Sequence, residues 1–295
     1  MSVQPQASAA RTTVLSLQQK KDRGERIRML TAYDYPTARL VDAAGVDAIL
    51  VGDSLAMVVL GHETTLTVTM EEMLHHARAV GRGASRALLV GDMPFMSYQA
   101  DTAEAVRNGG RYLQAGMHGV KIEGGRDYAD TVRALVRAGI PVMGHVGLMP
   151  QSVRRQGGYR AQGKTATSAK ALLDDALALE AAGCFAVVLE SVPEQLAGAI
   201  TERLRVPTIG IGAGPATDGQ VLVIHDMLGL YERAPMFVRQ YARLDEEILR
   251  AVRAYREDVE AGTFPAAEHS VSMPEEEWGA FLATLGPQPE RARRR

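Results

Sequence analysis

The sequence has few of the features that mark secreted, membrane-bound or nucleic-acid-binding proteins. It contains one cysteine, Cys184, among 295 residues, so no disulfide can form within the chain. No apolar run approaches the roughly 18 residues that a transmembrane helix needs. The formal net charge is only −2, which leaves no overall field to attract nucleic acid or a membrane surface. These absences predict a cytoplasmic protein that binds neither nucleic acid nor a membrane.

Size and composition predict one large domain with short extensions. Hydrophobic residues make up 46% of the chain and charged residues 23%, an ordinary balance for a globular protein that buries one core. Four prolines after residue 262 indicate an extended tail, with one short helix around Glu275–Leu285. We therefore predict a disordered extension over residues 1–11, a single folded domain over residues 12–262 and an extended tail over residues 263–295.

Eight short apolar runs predict eight β-strands. They do not alternate between apolar and polar residues, which is typical of parallel strands covered on both faces. The runs are Arg28–Tyr33, Ala48–Gly52, Ala87–Gly91, Gly119–Ile122, Val142–Gly144, Ala186–Leu189, Thr208–Ile211 and Val221–Ile224. Helical patterns fill most of the gaps. Such alternation is typical of a (β/α)₈ TIM barrel or a doubly wound sheet, and eight strands favour the α/β barrel.

An ionisable side chain directly follows five of these strands. The five are Asp53, Asp92, Glu123, His145 and Glu190. The C-terminal ends of barrel strands share one mouth, where active sites lie, so we expect these groups to meet. The three acids on the second, third and fourth strands would repel one another without a cation, and oxygen ligands suit Mg²⁺. The alternative is that each acid caps the helix that follows it.

Lys121, Glu190 and His145 are candidates for substrate binding or proton transfer. Lys121 points the same way as Glu123, so it pairs with the carboxylates or binds an anionic substrate; a purely structural ion pair is the alternative. Glu190 ends the sixth strand across the barrel from Asp53. We expect mainly apolar neighbours there, which suits a general base, with helix capping as the alternative. For His145, metal ligation, substrate contact and a neutral structural role stay open.

Several short motifs occur in order along the chain. They include Thr31-Ala32-Tyr33-Asp34, Val51-Gly52-Asp53-Ser54-Leu55, Asp92-Met93-Pro94-Phe95-Met96, Val120-Lys121-Ile122-Glu123-Gly124-Gly125, Gly144-His145-Val146-Gly147-Leu148, Pro150-Gln151-Ser152 and Leu189-Glu190. Together these motifs resemble those of the ketopantoate hydroxymethyltransferase family. The resemblance covers roughly residues 12–270, and residues 1–11 and 271–295 lie outside it.

The resemblance implies a fold and a reaction. The fold is a (β/α)₈ TIM barrel of the phosphoenolpyruvate/pyruvate type. The reaction is transfer of a one-carbon unit from 5,10-methylenetetrahydrofolate, the folate co-substrate, to 3-methyl-2-oxobutanoate. The product is 2-dehydropantoate, on the route to pantothenate and coenzyme A. The resemblance also implies a homo-oligomer, with a decamer as one arrangement.

The resemblance assigns the metal and the keto acid to the same strand ends. It implies that the Mg²⁺ ligands are Asp53, Asp92 and, directly or through water, Glu123. The keto acid would contact a partly overlapping set, namely Asp53, Ser54, Asp92, Lys121 and His145. Glu190 matches the proton acceptor of the family and is therefore the candidate catalytic residue.

Two other functions compete with this one. A Mg²⁺-dependent lyase of the same barrel type would use the same carboxylates on another 2-oxo acid. Such lyases usually carry a cysteine on a flexible loop, whereas Cys184 directly precedes a strand. A non-enzymatic barrel would be favoured by loss of any of the four acids, and all four are present.

Overall fold

The computed structural model describes residues 11–286 and divides the chain into two compact units, Met1–Ala242 and Arg243–Arg295. Of the predicted N-terminal extension, only Arg11 falls within the described part. Residues 287–295 of the predicted tail also lie outside it. The sequence placed the end of the barrel domain at residue 262, whereas the first unit ends at Ala242.

Eight parallel strands in the first unit close into a barrel, in which each strand pairs with the next and the last pairs with the first. The strands are β1 (Ile27–Thr31), β2 (Ala48–Val51), β3 (Leu88–Asp92), β4 (Gly119–Glu123), β5 (Val142–Gly147), β6 (Ala186–Glu190), β7 (Thr208–Ile211) and β8 (Gly219–Leu222). The predicted (β/α)₈ TIM barrel is confirmed. The first strand ends earlier than predicted because Asp34 already caps the next helix, accepting a hydrogen bond from Thr37 N at 2.7 Å.

Helices occupy most of the connections between strands. In the first unit they are α1 (Val14–Asp22), α2 (Tyr35–Ala43), α3 (Leu55–Val58), α4 (Met70–Gly83), α5 (Thr102–Gln114), α6 (Ala129–Arg137), α7 (Val153–Gln156), α8 (Ala166–Ala182), α9 (Glu194–Arg203) and α10 (Ile224–Met227). Local sequence fixes their ends. Thr69 and Glu72 form a capping box at the start of α4, and α8 ends at Gly183, which has a φ of +103°.

The barrel interior is apolar except at one end. Alternate residues of each strand point inward, so Leu88 and Val90 of β3 lie inside together with Met29 and Met143. Leu17 of α1 joins this cluster from the N-terminal end and is fully buried. The interior at the C-terminal end of the strands is therefore the place where polar side chains can gather.

Acids at the N-terminal end of the barrel are neutralised by basic partners. Asp47, which precedes β2, lies 3.0 Å from Arg28 Nε and 3.1 Å from Lys20 Nζ. Asp218, which precedes β8, lies 2.8 Å from Lys21 Nζ. Burial alone would raise the pKa of Asp47, but Arg28 and Lys20 outweigh burial and hold that pKa below its ordinary value.

The second unit is helical. It contains α11 (Leu244–Ala261) and α12 (Glu275–Thr284), with a 3₁₀ turn over Ala267–His269 between them. The latter helix is the short one predicted around Glu275–Leu285. Among residues 11–286, no helix is at once long enough and apolar enough to span a bilayer.

Candidate active site

A cavity of about 890 Å³ opens at the C-terminal mouth of the barrel. Its lining contains every candidate residue of the sequence analysis, namely Asp53, Ser54, Asp92, Lys121, Glu123, His145 and Glu190. Strand register brings these side chains together. Asp92 of β3 is level with Lys121 of β4, and Glu123 is level with His145 of β5.

Three of these acids form a buried cluster around one ammonium group. The exposed fraction is 4% for Asp53, 1% for Asp92 and 3% for Glu123. The backbone N–H of Asp53 donates to Asp92 Oδ2 at 3.1 Å. Lys121 Nζ lies 2.8 Å from Asp92 Oδ1 and 3.8 Å from Glu123 Oε1. None of the three acids is the N-cap of a described helix, so the capping alternative is wrong.

The cluster carries more negative charge than Lys121 can offset. Burial, followed by the neighbouring Asp92 and Glu123 carboxylates, raises the pKa of Asp53 well above its ordinary value. Burial also raises the pKa of Asp92, although Lys121 opposes that shift. Burial lowers the pKa of Lys121, but the surrounding carboxylates outweigh burial and raise it. The site is therefore suited to an additional cation.

His145 connects this cluster to Glu190. Its Nδ1 lies 3.3 Å from Lys121 Nζ and 3.6 Å from Glu123 Oε1, and its Nε2 lies 3.3 Å from Glu190 Oε2. Burial and Lys121 lower the pKa of His145, but the two carboxylates outweigh them and raise it to about 9. The prediction that Glu190 has mainly apolar neighbours is thus wrong in one respect, because the imidazole of His145 faces its carboxylate.

Backbone geometry around Glu190 is unusual. Gly147 is paired with Glu190 across β5 and β6 and has a φ of +102°. A Cβ atom added to Gly147 would lie 2.2 Å from the carbonyl oxygen of Glu190, so only glycine fits. Ser191, the next residue, has a φ of +48°, a region that non-glycine residues seldom occupy. Pro193 occupies the N-cap position of α9, which has no side-chain cap, so Glu190 does not cap this helix.

Comparison with known proteins shows to which family this site belongs. A family model described as ketopantoate hydroxymethyltransferase matches residues 11–267. The chain belongs to the ketopantoate hydroxymethyltransferase family. It is 56% identical to 3-methyl-2-oxobutanoate hydroxymethyltransferase of Syntrophomonas wolfei subsp. wolfei, over 90% of this chain and 98% of that protein. It is also 56% identical to the protein of the same name from Syntrophus aciditrophicus, over 92% and 99% of the two chains.

Two solved structures have the same barrel fold. Phosphoenolpyruvate phosphomutase from Streptomyces platensis subsp. rosaceus matches with a TM-score of 0.60 at 17% identity, over 92% of this chain and 95% of that chain. A 2,3-dimethylmalate lyase, described as a PEP mutase/isocitrate lyase superfamily member, matches with a TM-score of 0.57 at 17% identity, over 92% and 94%. Because the chain belongs to the ketopantoate hydroxymethyltransferase family, it is a hydroxymethyltransferase. The lyase and the non-enzymatic alternatives are therefore wrong.

The oxygen atoms available in this family member fit a Mg²⁺ ion. Within residues 11–286, no three His, Cys, Asp or Glu side chains are arranged to hold one metal ion together. Mg²⁺ does not need three, because it usually binds one or two carboxylates and completes its shell with waters and substrate oxygens. Glu123 Oε1 is buried without a hydrogen bond, and Asp92 Oδ1 has only the Lys121 ion pair.

Sequence reasoning missed two polar residues of the hydroxymethyltransferase site. Gln151 lies in a 3₁₀ turn, Pro150–Ser152, that follows β5, and its side chain donates to Asp53 Oδ2 at 2.9 Å. Tyr98, 2% exposed, donates to Gln151 Oε1 or to the carbonyl of Glu123. Both are neutral, so a search for charges at strand ends passes over them. The motif Pro150-Gln151-Ser152 was the available signal.

Proposed function

We propose that this member of the ketopantoate hydroxymethyltransferase family transfers a one-carbon unit from 5,10-methylenetetrahydrofolate to 3-methyl-2-oxobutanoate. The product would be 2-dehydropantoate, for pantothenate synthesis. The relatives carry the name of this keto acid. The single observation that supports the proposal best is the separation of two carboxylate groups by His145, with the crowded acids on one side and Glu190 on the other.

The crowded acids are the proposed metal site. Asp53 and Asp92 would hold Mg²⁺, with Glu123 beside it. When bound, the ion would act as a Lewis acid toward the keto acid and so favour loss of a proton from C3. The raised pKa values of Asp53 and Asp92 support this assignment, because they reflect buried negative charge that a divalent cation would offset.

Lys121 and Ser54 are the proposed contacts to the carboxylate of the keto acid. Both line the cavity, and Lys121 is the ammonium group within the acid cluster. The Ser54 hydroxyl is 2.9 Å from the hydroxyl of buried Tyr33, which restricts the direction in which Ser54 presents its oxygen. His145, 3.3 Å from Lys121, would contact the substrate between these groups and Glu190.

Glu190 is the proposed base. Its carboxylate would accept the C3 proton of the keto acid, and C3 would then bond to the methylene carbon of the donor. Overall, one water supplies the oxygen of the new hydroxyl group, and tetrahydrofolate is released. The side chain of Glu190 is 18% exposed, against 2% for His145, so of the two side chains the carboxylate is the more open to the cavity that both line.

The size of the cavity supports a second, larger substrate. About 890 Å³ is in the range that holds drug-sized ligands and far exceeds the need of a five-carbon acid. The outer part carries aromatic side chains, including Tyr159 and Tyr231, whose hydroxyl donates to Val58 O at 2.7 Å. A folate would find flat apolar surfaces there.

The cytoplasmic location and the homo-oligomer stay predictions.

An assay of the purified full-length chain tests the proposal. With keto acid, 5,10-methylenetetrahydrofolate and Mg²⁺, we expect 2-dehydropantoate to form. A chelator should abolish its formation, and added Mg²⁺ should restore it. Absence of product with active cofactor and metal would refute the function, whereas product formation that ignores the chelator would refute only the metal site.

A further inference from the structure

The side chain and backbone of Gln151 touch groups from three neighbouring strand ends. Its Nε2 donates to Asp53 Oδ2 after β2 and to Met93 O after β3, each at 2.9 Å. Its backbone N–H donates to Glu123 Oε2 at the end of β4 at 3.0 Å. Gln151 itself is only 6% exposed. One residue of the turn after β5 thus bridges the carboxylate cluster.

The orientation of the Gln151 amide is fixed by its surroundings. Met93 O is a carbonyl oxygen and can only accept, so the atom facing it must be the donating Nε2. On the other side, Oε1 lies 2.9 Å from Gln99 Nε2, which donates to it, and 3.0 Å from Tyr98 OH, which donates either to it or to the carbonyl of Glu123. The Tyr98 hydroxyl also accepts from Glu123 N at 3.0 Å. The amide is therefore held at both ends and cannot turn over.

This arrangement engages one oxygen of each of two carboxylates. Asp53 Oδ2 and Glu123 Oε2 accept from Gln151. Among residues 11–286, Asp53 Oδ1 accepts no hydrogen bond, and Glu123 Oε1 has only its ion-pair contacts with Lys121 at 3.8 Å and His145 at 3.6 Å. A carboxylate restrained at one oxygen presents the other in a fixed direction, which is the usual role of groups that surround a metal ligand.

We propose that Gln151 is a positioning residue whose side-chain amide aims Asp53 at the metal ion, while its backbone N–H holds Glu123 beside that ion. This inference rests on the metal site of the proposed function. It predicts that the side-chain amide sets metal affinity, and that the rest of the turn does not. Residues that orient metal ligands typically contribute about 10- to 100-fold to metal affinity or activity.

Direct metal binding to the full-length protein is the test. Mn²⁺ replaces Mg²⁺ as the probe, and the EPR signal of the free ion gives the dissociation constant without any turnover. Gln151→Met keeps the length of the side chain and removes the amide. We expect the dissociation constant of this variant to rise about 10- to 100-fold.

Gln156→Met is the matched control. Gln156 lies in the same connection, donates to Gly147 O at 3.0 Å and accepts from Met149 N at 3.0 Å, but it touches no carboxylate. Its replacement disturbs the connection alone, so Mn²⁺ affinity should change little. In steady-state assays, Gln151→Met should raise the Mg²⁺ concentration needed for half-maximal rate, while kcat at saturating Mg²⁺ falls less.

The outcomes separate this inference from the proposed function. Wild-type protein that binds no Mn²⁺ would refute the metal site itself. Wild-type binding that Gln151→Met leaves unchanged would refute only the role of Gln151, and so would an equal loss in Gln156→Met. Should Gln151→Met fail to fold, Gln151→Asn, which keeps the amide one methylene shorter, replaces it, and unaltered affinity in that folded variant would also refute the role.

Discussion

Asp47 and Asp53, two buried acids at opposite ends of the barrel, have opposite pKa shifts. At the N-terminal end, Asp47 has Arg28 and Lys20 within 3.1 Å, and its pKa lies below the ordinary value. At the C-terminal end, three carboxylates share Lys121, and the pKa of Asp53 lies well above the ordinary value. Both ends belong to one sheet; the pKa of Asp53 is raised by burial and by two neighbouring carboxylates, whereas at Asp47 two basic partners outweigh burial.

This contrast separates structural acids from functional ones. An acid with matched partners favours the folded state, because its charge is better stabilised there than in water. An acid without them disfavours the folded state until a ligand arrives, and such groups gather at functional sites. The predictions below test the contrast from the largest expected effect to the smallest.

The largest effect is expected for Glu190→Gln. Loss of a general base typically lowers the rate about 10²- to 10⁴-fold, so kcat should fall by that factor. Exchange of the C3 proton of 3-methyl-2-oxobutanoate with deuterated solvent, followed by NMR, should disappear, while the keto acid still binds. Asp47→Asn, an amide at the opposite end, should leave kcat and exchange intact. Full exchange in Glu190→Gln would exclude Glu190 as the base.

Stability should respond in opposite directions at the two ends of the barrel. In metal-free protein, Asp47→Asn should lower the free energy of unfolding by about 1.5–3 kcal/mol, the usual contribution of hydrogen bonds to a charged group. Asp53→Asn removes a repelling charge and should leave that free energy unchanged or raise it by about 1 kcal/mol. Urea unfolding measures both. A loss at Asp53 as large as that at Asp47 would remove the contrast.

The pH dependence of stability should also differ. A raised folded-state pKa, as for Asp53 and Asp92, gives stability below the unfolded pKa that is lost as pH rises through the folded value. A lowered pKa, as for Asp47, gives stability above the unfolded pKa that is lost as pH falls through the folded value. As the pH rises from about 5 to about 8, the melting temperature of the metal-free wild type should therefore fall more than that of Asp53→Asn.

Ligand binding gives the complementary measurement. Mg²⁺ with keto acid should raise the melting temperature of the wild type. At a ligand concentration one hundred times the dissociation constant, the free energy of unfolding should increase by about 2.7 kcal/mol. The rise should be greater near pH 8 than near pH 5, because ionised carboxylates bind the metal. A rise that does not depend on pH would place the ligand away from the acid cluster.

The smallest effect is expected at Cys184. It is 2% exposed, and burial raises the pKa of its thiol to about 12. Because the thiolate is the reactive form, a chromogenic disulfide reagent at neutral pH should label native protein slowly and unfolded protein promptly. Cys184→Ala should keep kcat within about twofold, as for a residue outside the site. Prompt labelling with loss of activity would bring the thiol into the site.

Much of the site could be predicted from the sequence because most of its residues are charged. An acid directly after an apolar run predicts a polar strand end, and parallel strands bring such ends together, as Asp53, Asp92 and Glu123 show. The contact between His145 and Glu190 did not follow, because it depends on how β5 and β6 are aligned. Gln151 did not follow either, since a neutral amide matters only through the partners that the fold supplies.

The boundaries of the elements were less predictable than their existence. The last strand begins at Gly219, two residues before the apolar run that predicted it, because hydrogen bonding to β1 and β7 extends past the apolar side chains. The end of the barrel unit at Ala242 has no marker in composition that we recognised.

The absence of a side chain at Gly147 affects the geometry of the candidate active site. Gly147 allows the backbone of β5 to approach Glu190 more closely than any side chain would permit. Were that space filled, the two strands would have to move apart, and the imidazole on one would withdraw from the carboxylate on the other. The separation of the His145 and Glu190 side chains thus depends on a glycine that has no functional group of its own.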